Sequence, residues 1–330
     1  MSETGPEPAS LEDGRRIAVI VNPVKFPDPR AEKEQLTALC REAGWAEPIW
    51  IETTAEDPGE GQTKDAIGQG ATIVCPLGGD GTVRVVASVL AGTDTPLGLL
   101  PGGTGNLLAR NLDLPITSLE SALRVVLTGS DRRIDVGLVR LGDSNVVPGT
   151  GSGGSGEPSP GREEGEEVFL VMAGMGLDAD VIAGTNEGIK AKVGWAAYLL
   201  AGLRHLWGPR FLVDVTTDRG PKRQHSRTVI VGNCGRLQGG VEMMPDARLD
   251  DGVLDVVVIS PHGLAGWAAV ASDIASRHHR GHRRLVRLTV KFIELHTERP
   301  VEAQIDGDPM GTKRSLRARI WPGALVVRVG

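Results

Sequence analysis

Two glycine-rich segments of this chain carry the side chains that phosphate and metal chemistry use. They are Leu77-Gly78-Gly79-Asp80-Gly81-Thr82 and Leu100-Pro101-Gly102-Gly103-Thr104-Gly105-Asn106. Glycines just after a strand let the backbone turn tightly and approach a ligand closely. Their N–H groups, with the N-terminus of a following helix, attract phosphate oxygens. Asp80 is itself an anion and cannot hold a phosphate, but it can hold magnesium directly or through water. In the second segment Thr104 offers a hydroxyl and Asn106 an amide for phosphate or ribose. Neither segment is a Walker loop, which needs Gly-Lys-Ser/Thr, nor a Rossmann G-x-G-x-x-G. The plainer reading of the first is a tight strand-to-helix turn with an aspartate or threonine cap, and of the second a capped loop. Two further groups stand near the far end: Asp250-Asp251-Gly252 and Asp306-Gly307-Asp308. Each is either an Asp-Gly hairpin turn or a set of carboxylates available to a cation or to a proton.

The elements that must position these groups follow from periodicity. Ile17–Val21 is a buried strand stopped by Asn22-Pro23, and Ala31–Ala43 carries Leu36, Leu39 and Ala43 at helical spacing before Gly44. A short strand near Pro48–Ile51 precedes a polar stretch. Ala71–Cys75 is a strand running into the first glycine loop, Val83–Leu90 a helix, Pro96–Leu100 a strand running into the second loop, and a helix follows. Strands alternating with helices give a mostly parallel sheet with helices on its faces. In such sheets ligands gather at the carboxyl ends of strands, and the Asn-Pro turn and both glycine loops all fall there.

Beyond Ile134 the texture changes. Ile134–Leu141, Val168–Ala173, Phe211–Thr216, Thr228–Gly232, Leu254–Ile259, Leu288–His296 and Val301–Ile305 read as strands, mostly without helices between them. An antiparallel β-sandwich or barrel follows, with Val193–Leu206 as its one helix. The expected organisation is a disordered leader at 1–14, an α/β domain at 15–133 and a β-rich domain at 134–330. A flexible Gly/Ser/Pro/Glu insertion occupies 142–167, and the extreme C-terminus is free to pack back on the first domain.

Composition excludes some classes. A net charge of −6 over 330 residues argues against a nucleic-acid binder. Cys40, Cys75 and Cys234 are far apart and form no C-x-x-C pair, which suits a reducing cytoplasm rather than a disulfide scaffold or structural zinc. No apolar run reaches the length of a membrane span, and the first residues are acidic and polar rather than signal-like. The four histidines His205, His278, His279 and His282 show no metal-ligand pattern with a carboxylate.

Taken in order, Val21-Asn22-Pro23, GGDGT and PGGTGN resemble the catalytic domain shared by diacylglycerol kinases, sphingosine kinases and related lipid kinases. GGDGT alone also occurs in NAD kinases. The later series decides between them: Ala173-Gly174-Met175-Gly176-Leu177-Asp178-Ala179, Lys192-Val193-Gly194-Trp195, Val231-Gly232-Asn233, Met244-Pro245-Asp246-Ala247 through Asp251-Gly252-Val253-Leu254-Asp255, and Ile305-Asp306-Gly307-Asp308. It is similar to the bacterial lipid kinase family from about Ile17 to the C-terminus.

The resemblance implies ATP and magnesium as cofactors. Asn22 and Lys25 would contact nucleotide phosphates, Thr54 (or its neighbour Thr53) would line the nucleotide site, and Gly78, Gly79, Asp80, Gly81, Thr82, Val83 and Arg84 would form the main nucleotide loop. Gly103, Thr104 and Asn106 would support it. Asp251 would bind a structural magnesium with the backbone carbonyls of Arg248 and Val253. Asp80 and Asp308 would be catalytic, Asp308 as the general base of a DGE-type motif. The chain departs from the family at three points. The usual Asn-Pro-x-Ser-Gly turn is Asn22-Pro23-Val24-Lys25-Phe26, the aspartate after the second loop's asparagine is Leu107, and the base is an aspartate. The implied reaction is γ-phosphate transfer to a lipid hydroxyl, with diacylglycerol the default acceptor. A lipid acceptor implies peripheral contact with the inner face of a membrane. The apolar Val193–Leu206 helix and the basic Arg277–Lys291 stretch suit such contact, and their plainer readings are a core-packing helix and a solvated charged strand or loop. A homodimer is allowed. An NAD kinase-like or other small-molecule kinase, and a non-catalytic nucleotide-binding regulator, stay open as alternatives.

Overall fold

The computed structural model describes residues 14–144, 161–176, 210–236, 242–261 and 285–330, with single positions at 263, 266, 269, 270, 272 and 273. The chain divides into two compact units, one running to Arg132 and including Val326–Gly330, the other Arg133–Leu325.

The first unit opens with β1 (Ile17–Val21), buried along its whole length, and a single 3₁₀ turn at Pro23–Lys25. Helix α1 (Pro29–Glu42) starts where Asp28 accepts the N–H groups of Arg30 and Ala31 at 3.1 and 3.3 Å, with proline at its first position. It buries Leu36 and Cys40, four residues apart on one face. Then follow β2 (Ile49–Glu52), α2 (Glu60–Gly68), β3 (Ile73–Gly78), α3 (Asp80–Leu90), β4 (Leu100–Pro101), α4 (Leu107–Asn111) and α5 (Leu119–Thr128). The strands form a four-stranded sheet in the order β2-β1-β3-β4, and each adjacent pair is parallel. Strands β1 and β3 are apolar and buried throughout, as expected of a sheet covered on both faces. Residues of α1 and α5, among them Leu36, Leu123 and Val126, share one core cluster with Val19, Cys75 and Leu77 of the sheet.

Register brings the loops together. Val21 lies opposite Leu77, and Leu77 opposite Leu100. The Asn22 turn and the two glycine segments therefore leave neighbouring strands at the same edge. Leu97 extends the sheet beyond β4, bridging Val74 on one side and Val327 on the other. Its N–H donates to the Val326 carbonyl at 2.8 Å, and its carbonyl accepts from Arg328 N–H at 2.9 Å.

The second unit is built from β5 (Ser130–Gly142), which enters it from the first, then β6 (Glu167–Phe169), β7 (Met172–Met175), β8 (Phe211–Thr217), β9 (Gly220–Ser226), β10 (Thr228–Gly232), β11 (Leu254–Ile259), β12 (Leu285–Val290), β13 (Phe292–Ile305) and β14 (Asp308–Val329). They join in one ten-stranded sheet in the order β12-β11-β10-β7-β13-β14-β5-β6, with β8 and β9 branching from β13. Pairings such as β10–β11, β13–β14 and β8–β9 are antiparallel. Val213 and Val215 of β8, Val256 of β11, Ile293 of β13 and Leu316 of β14 share one core cluster, so the sheet closes over its own interior. The expected α/β unit followed by an antiparallel sandwich is what the chain forms.

Several boundaries differ from the expectation. The strand expected at Val168–Ala173 is two strands, because the N–H groups of Leu170, Val171 and Met172 are taken by a side chain rather than by a sheet partner. Strand β4 is two residues long, and α3 begins at Asp80 rather than Val83. The expected helix Val193–Leu206 and most of the Arg277–Lys291 stretch lie outside the described residues, as does 145–160 of the expected insertion.

Candidate functional site

The first glycine segment is the end of β3 and the start of α3. Gly79 occupies the cap position, with no side-chain hydrogen bond to the helix, and Asp80 is the first helical residue. The plainer reading of Asp80 or Thr82 as a helix cap therefore does not hold. Thr82 and Val83 turn inward and are buried, while Gly79, Asp80, Gly81 and Arg84 are half-buried.

The Asp80 carboxylate instead reaches the second segment, accepting the Leu107 N–H at 2.7 Å. It closes the first turn of α4, since Asn106 sits in the left-handed region at φ 47° and its side chain caps nothing there. The Asn106 amide is engaged within its own loop: Nδ2 donates to the Gly103 carbonyl at 2.7 Å and Oδ1 accepts from Gly103 N–H at 3.4 Å. Arg110 Nε donates to the Gly105 carbonyl at 2.7 Å. The two segments are interlocked at their glycines. A Cβ at Gly103 would stand 2.8 Å from the Gly79 Cα, and one at Gly105 would collide with the Asp80 carboxylate. Any side chain at either position would push the loops apart.

On the other flank, Asn22 Oδ1 accepts the Val24 N–H at 3.2 Å, and the Asn22 N–H donates to the Leu77 carbonyl at 3.0 Å, joining the turn to β3. Lys25 is exposed. Phe26, standing where the family carries glycine, lies against Gly102 and packs on the core cluster of the sheet. Thr53 is buried and donates its N–H to the Val21 carbonyl at 2.9 Å, whereas Thr54 is exposed and its hydroxyl accepts the Asp57 N–H at 3.1 Å. Asp57, which the sequence reading passed over, accepts N–H groups from Gly59, Glu60 and Gly61 and so starts α2. Its signal was the Asp-Pro-Gly-Glu run, a cap followed by a turn.

In the second unit, Asp251 is exposed and Oδ1 accepts the Val253 N–H at 3.3 Å. Partial desolvation by the surrounding turn, with nearby Asp135 and Asp250, raises the Asp251 carboxyl above its ordinary value despite the Val253 bond. Burial pushes Asp255 up to about 6, with Asp251 and Asp246 adding to it. Carboxylates that raise one another mark a local field that a cation would relieve, and oxygen donors suit magnesium or calcium. Among the described residues no three acidic, histidine or cysteine side chains are arranged around a common metal position. A cation here would therefore rest on Asp251 and backbone carbonyls, which is the donor set named for Arg248, Asp251 and Val253. Asp135, missed in the sequence because it belongs to no motif and is flanked by Ile134 and Val136 in a strand, is buried and braces this turn. Its carboxylate accepts Gly252 N–H at 2.6 Å and Gly323 N–H at 2.7 Å.

Asp306-Gly307 is a two-residue turn between β13 and β14, with φ of 50° and 92° and Ile305 paired with Asp308. Turn and carboxylate readings thus coexist, because the turn delivers Asp308 half-exposed at the head of β14.

A parallel sheet with phosphate-type glycine loops at its strand ends, linked in sequence to an antiparallel sandwich, defines the class of NAD kinase-like and diacylglycerol kinase-like phosphotransferases. Residues 16–139 match the diacylglycerol kinase catalytic domain, and residues 171–329 match the YegS C-terminal NAD kinase beta sandwich-like domain. A probable lipid kinase YegS-like protein of Pseudomonas fluorescens is 30% identical, covering 88% of this chain and 87% of its own. A counterpart from Pseudomonas aeruginosa is 29% identical over 90% and 89%. The chain belongs to the YegS-like lipid kinase family. Among solved structures, a diacylglycerol kinase from Bacillus anthracis str. Sterne matches with a TM-score of 0.69 at 22% identity, over 96% of this chain and 98% of that one. Yeast NADH kinase complexed with NADH matches with a TM-score of 0.51 at 12% identity, over 95% and 82%. These two likenesses concern the fold alone.

Proposed function

We propose that this member of the family transfers the γ-phosphate of ATP to the hydroxyl of diacylglycerol, giving phosphatidic acid. The observation that carries the nucleotide half is the interlock of the two glycine loops, closed by the Asp80–Leu107 bond at 2.7 Å. It leaves a run of backbone N–H groups at a helix N-terminus beside a carboxylate, the donor set that phosphoryl transfer needs.

In this reading the amides of Gly78–Thr82 bind phosphate oxygens, with Lys25 and Arg84 as counter-charges and Asn22, Thr54, Gly103 and Thr104 shaping the pocket around them. Asp80 is the residue that would hold magnesium, which when bound neutralises charge on the phosphate oxygens. Asp308 accepts the proton of the lipid hydroxyl while the hydroxyl oxygen attacks the γ-phosphorus and ADP departs. Asp251, with the carbonyls of Arg248 and Val253, would hold a structural cation. No helix among the described residues is long and apolar enough to cross a membrane. In this reading the lipid acceptor itself calls for a membrane surface, met peripherally from the cytoplasmic face.

Incubation with γ-labelled ATP, magnesium and vesicles containing diacylglycerol tests this directly. Labelled phosphatidic acid is the expected product. Labelled NADP from NAD, or ATP binding with no labelled lipid from a total membrane extract, overturns it.

A further inference from the structure

The segment that joins β6 to β7 gives up sheet pairing in the middle of an apolar run. Phe169, Leu170, Val171, Met172 and Ala173 are all buried, and nothing in their side chains opposes a continuous strand. The interruption serves one group. The buried Asp306 carboxylate accepts three consecutive N–H groups, from Leu170 at 2.8 Å, Val171 at 2.8 Å and Met172 at 2.9 Å. The Asp306 N–H donates back to the Met172 carbonyl at 2.7 Å. A two-residue turn fixes the register of its own hairpin, but not where the hairpin's tip is held. These four bonds hold the tip.

A second polar group converges on the same turn. Gln304, fully buried, accepts the Gly307 N–H on Oε1 at 2.8 Å, while its Nε2 meets no hydrogen-bond partner among the described residues. A buried amide with an unsatisfied donor is unfavourable, and an apolar residue of similar volume would pack there more easily. Both features act on a turn whose next residue is Asp308.

We propose that Asp306, assisted by Gln304, is a positioning residue for the Asp308 carboxylate, setting where it stands for proton transfer. The proposal rests on the reading of Asp308 as the base.

Asp306→Asn keeps the side-chain volume and the tolerance for positive φ. It turns one acceptor into an N–H donor facing the bonded amides. Gln304→Met removes both the acceptor for Gly307 and the orphan donor at similar volume, and is expected to keep the fold. With saturating diacylglycerol in mixed micelles, Asp306→Asn is expected to lower kcat by roughly 10- to 100-fold, and Gln304→Met by roughly 3- to 10-fold, the scale of small misplacements of a reacting group. KM for ATP stays within about twofold in both, and circular dichroism shows a folded protein. An unchanged kcat in both variants, or a loss confined to KM for ATP, overturns the positioning role when Asp308→Asn is inactive. If Asp308→Asn keeps wild-type kcat, the base assignment itself fails and the positioning role with it. Should Asp306→Asn not fold at the assay temperature, the kcat of Gln304→Met decides alone.

Discussion

Asp80 joins two functions that substitution can separate. Its carboxylate holds the second glycine loop through the Leu107 N–H, and in the proposed reaction it holds the cation. Asp80→Asn keeps a carbonyl oxygen for Leu107 but no charge. Its thermal stability should stay within about 0.5 kcal/mol of the parent, as for a surface change that keeps its hydrogen bond, while turnover falls by about 100-fold or more. Asp80→Ala should in addition lose about 1–2 kcal/mol, because an N–H at the start of α4 loses its acceptor. Gly105→Ala makes the complementary test: its Cβ collides with the same carboxylate, so ATP affinity measured by calorimetry should drop with little change in overall circular dichroism.

Asp255 offers a test by pH. Burial raises its folded value to about 6, with Asp251 and Asp246 contributing. The folded state therefore binds a proton more readily than the unfolded chain, and stability declines as pH rises through that range. Asp255→Asn should stabilise the fold above pH 6, by on the order of 1 kcal/mol at pH 8 once solvent screening is discounted, with a matching rise in melting temperature, and have no effect near pH 4. Equal melting curves at pH 8 would show that Asp255 feels no such field.

At the scale of elements, Glu166 and Arg319 form a buried side-chain pair in the second unit. Arg319 Nε donates to Oε1 at 2.8 Å and Nη2 to Oε2 at 2.6 Å, and Nη2 also donates to the Gly161 carbonyl at 2.6 Å. The pair ties the segment before β6 to β14. Burial pushes the Glu166 carboxyl upward, but the Arg319 bonds, with Glu163 N–H and Arg140, outweigh it and hold the carboxyl below its ordinary value. Its contribution is thus present above the ordinary glutamate range and is lost as pH falls through the depressed value. Glu166→Ala should cost about 3–5 kcal/mol near neutrality, since it strands a buried guanidinium. The gap from the parent in denaturant melts should shrink as pH drops below that range.

The elements that periodicity missed share a cause. Helix α2 and strand β9 are rich in polar residues, with β9 exposed along nearly its whole length, so neither displays an apolar stripe. Strand β14 runs through Gly311, Pro322 and Gly323 and carries Lys313, Arg314, Arg317 and Arg319 in its first half. Its strand character comes from pairing with β13 rather than from its own pattern. Helix α5 is the exception, since its apolar face of Ala122, Leu123, Val126 and Leu127 has regular helical spacing.

At the scale of the whole molecule, the first unit is completed by the last residues of the chain. Val327 is fully buried, Leu97 exchanges hydrogen bonds with Val326 and Arg328, and Arg328 also bonds the Val126 carbonyl at 3.0 Å and Asp131 at 2.9 Å. Deleting Val326–Gly330 should therefore destabilise the first unit by about 3 kcal/mol or more, from lost apolar burial and unpaired backbone groups. The readout is hydrogen exchange in β3 and α5, with the second unit's β10 and β11 as the internal reference. Unchanged exchange in β3 would show that the terminal strand is dispensable.

The sequence alone determined the class of the fold, the lipid kinase family and the identity of the two glycine loops. Those features are written in local signals: buried apolar runs, strand-end glycines and an ordered series of short motifs. Only the tertiary structure decided what Asp80, Asp135, Asp306 and Asn106 bind. Their partners lie 27 residues away at Leu107, 117 at Gly252, 136 at Leu170, and three at Gly103 in a left-handed turn. A buried carboxylate takes whatever N–H groups the fold presents to it, and no spacing rule along the chain encodes that choice.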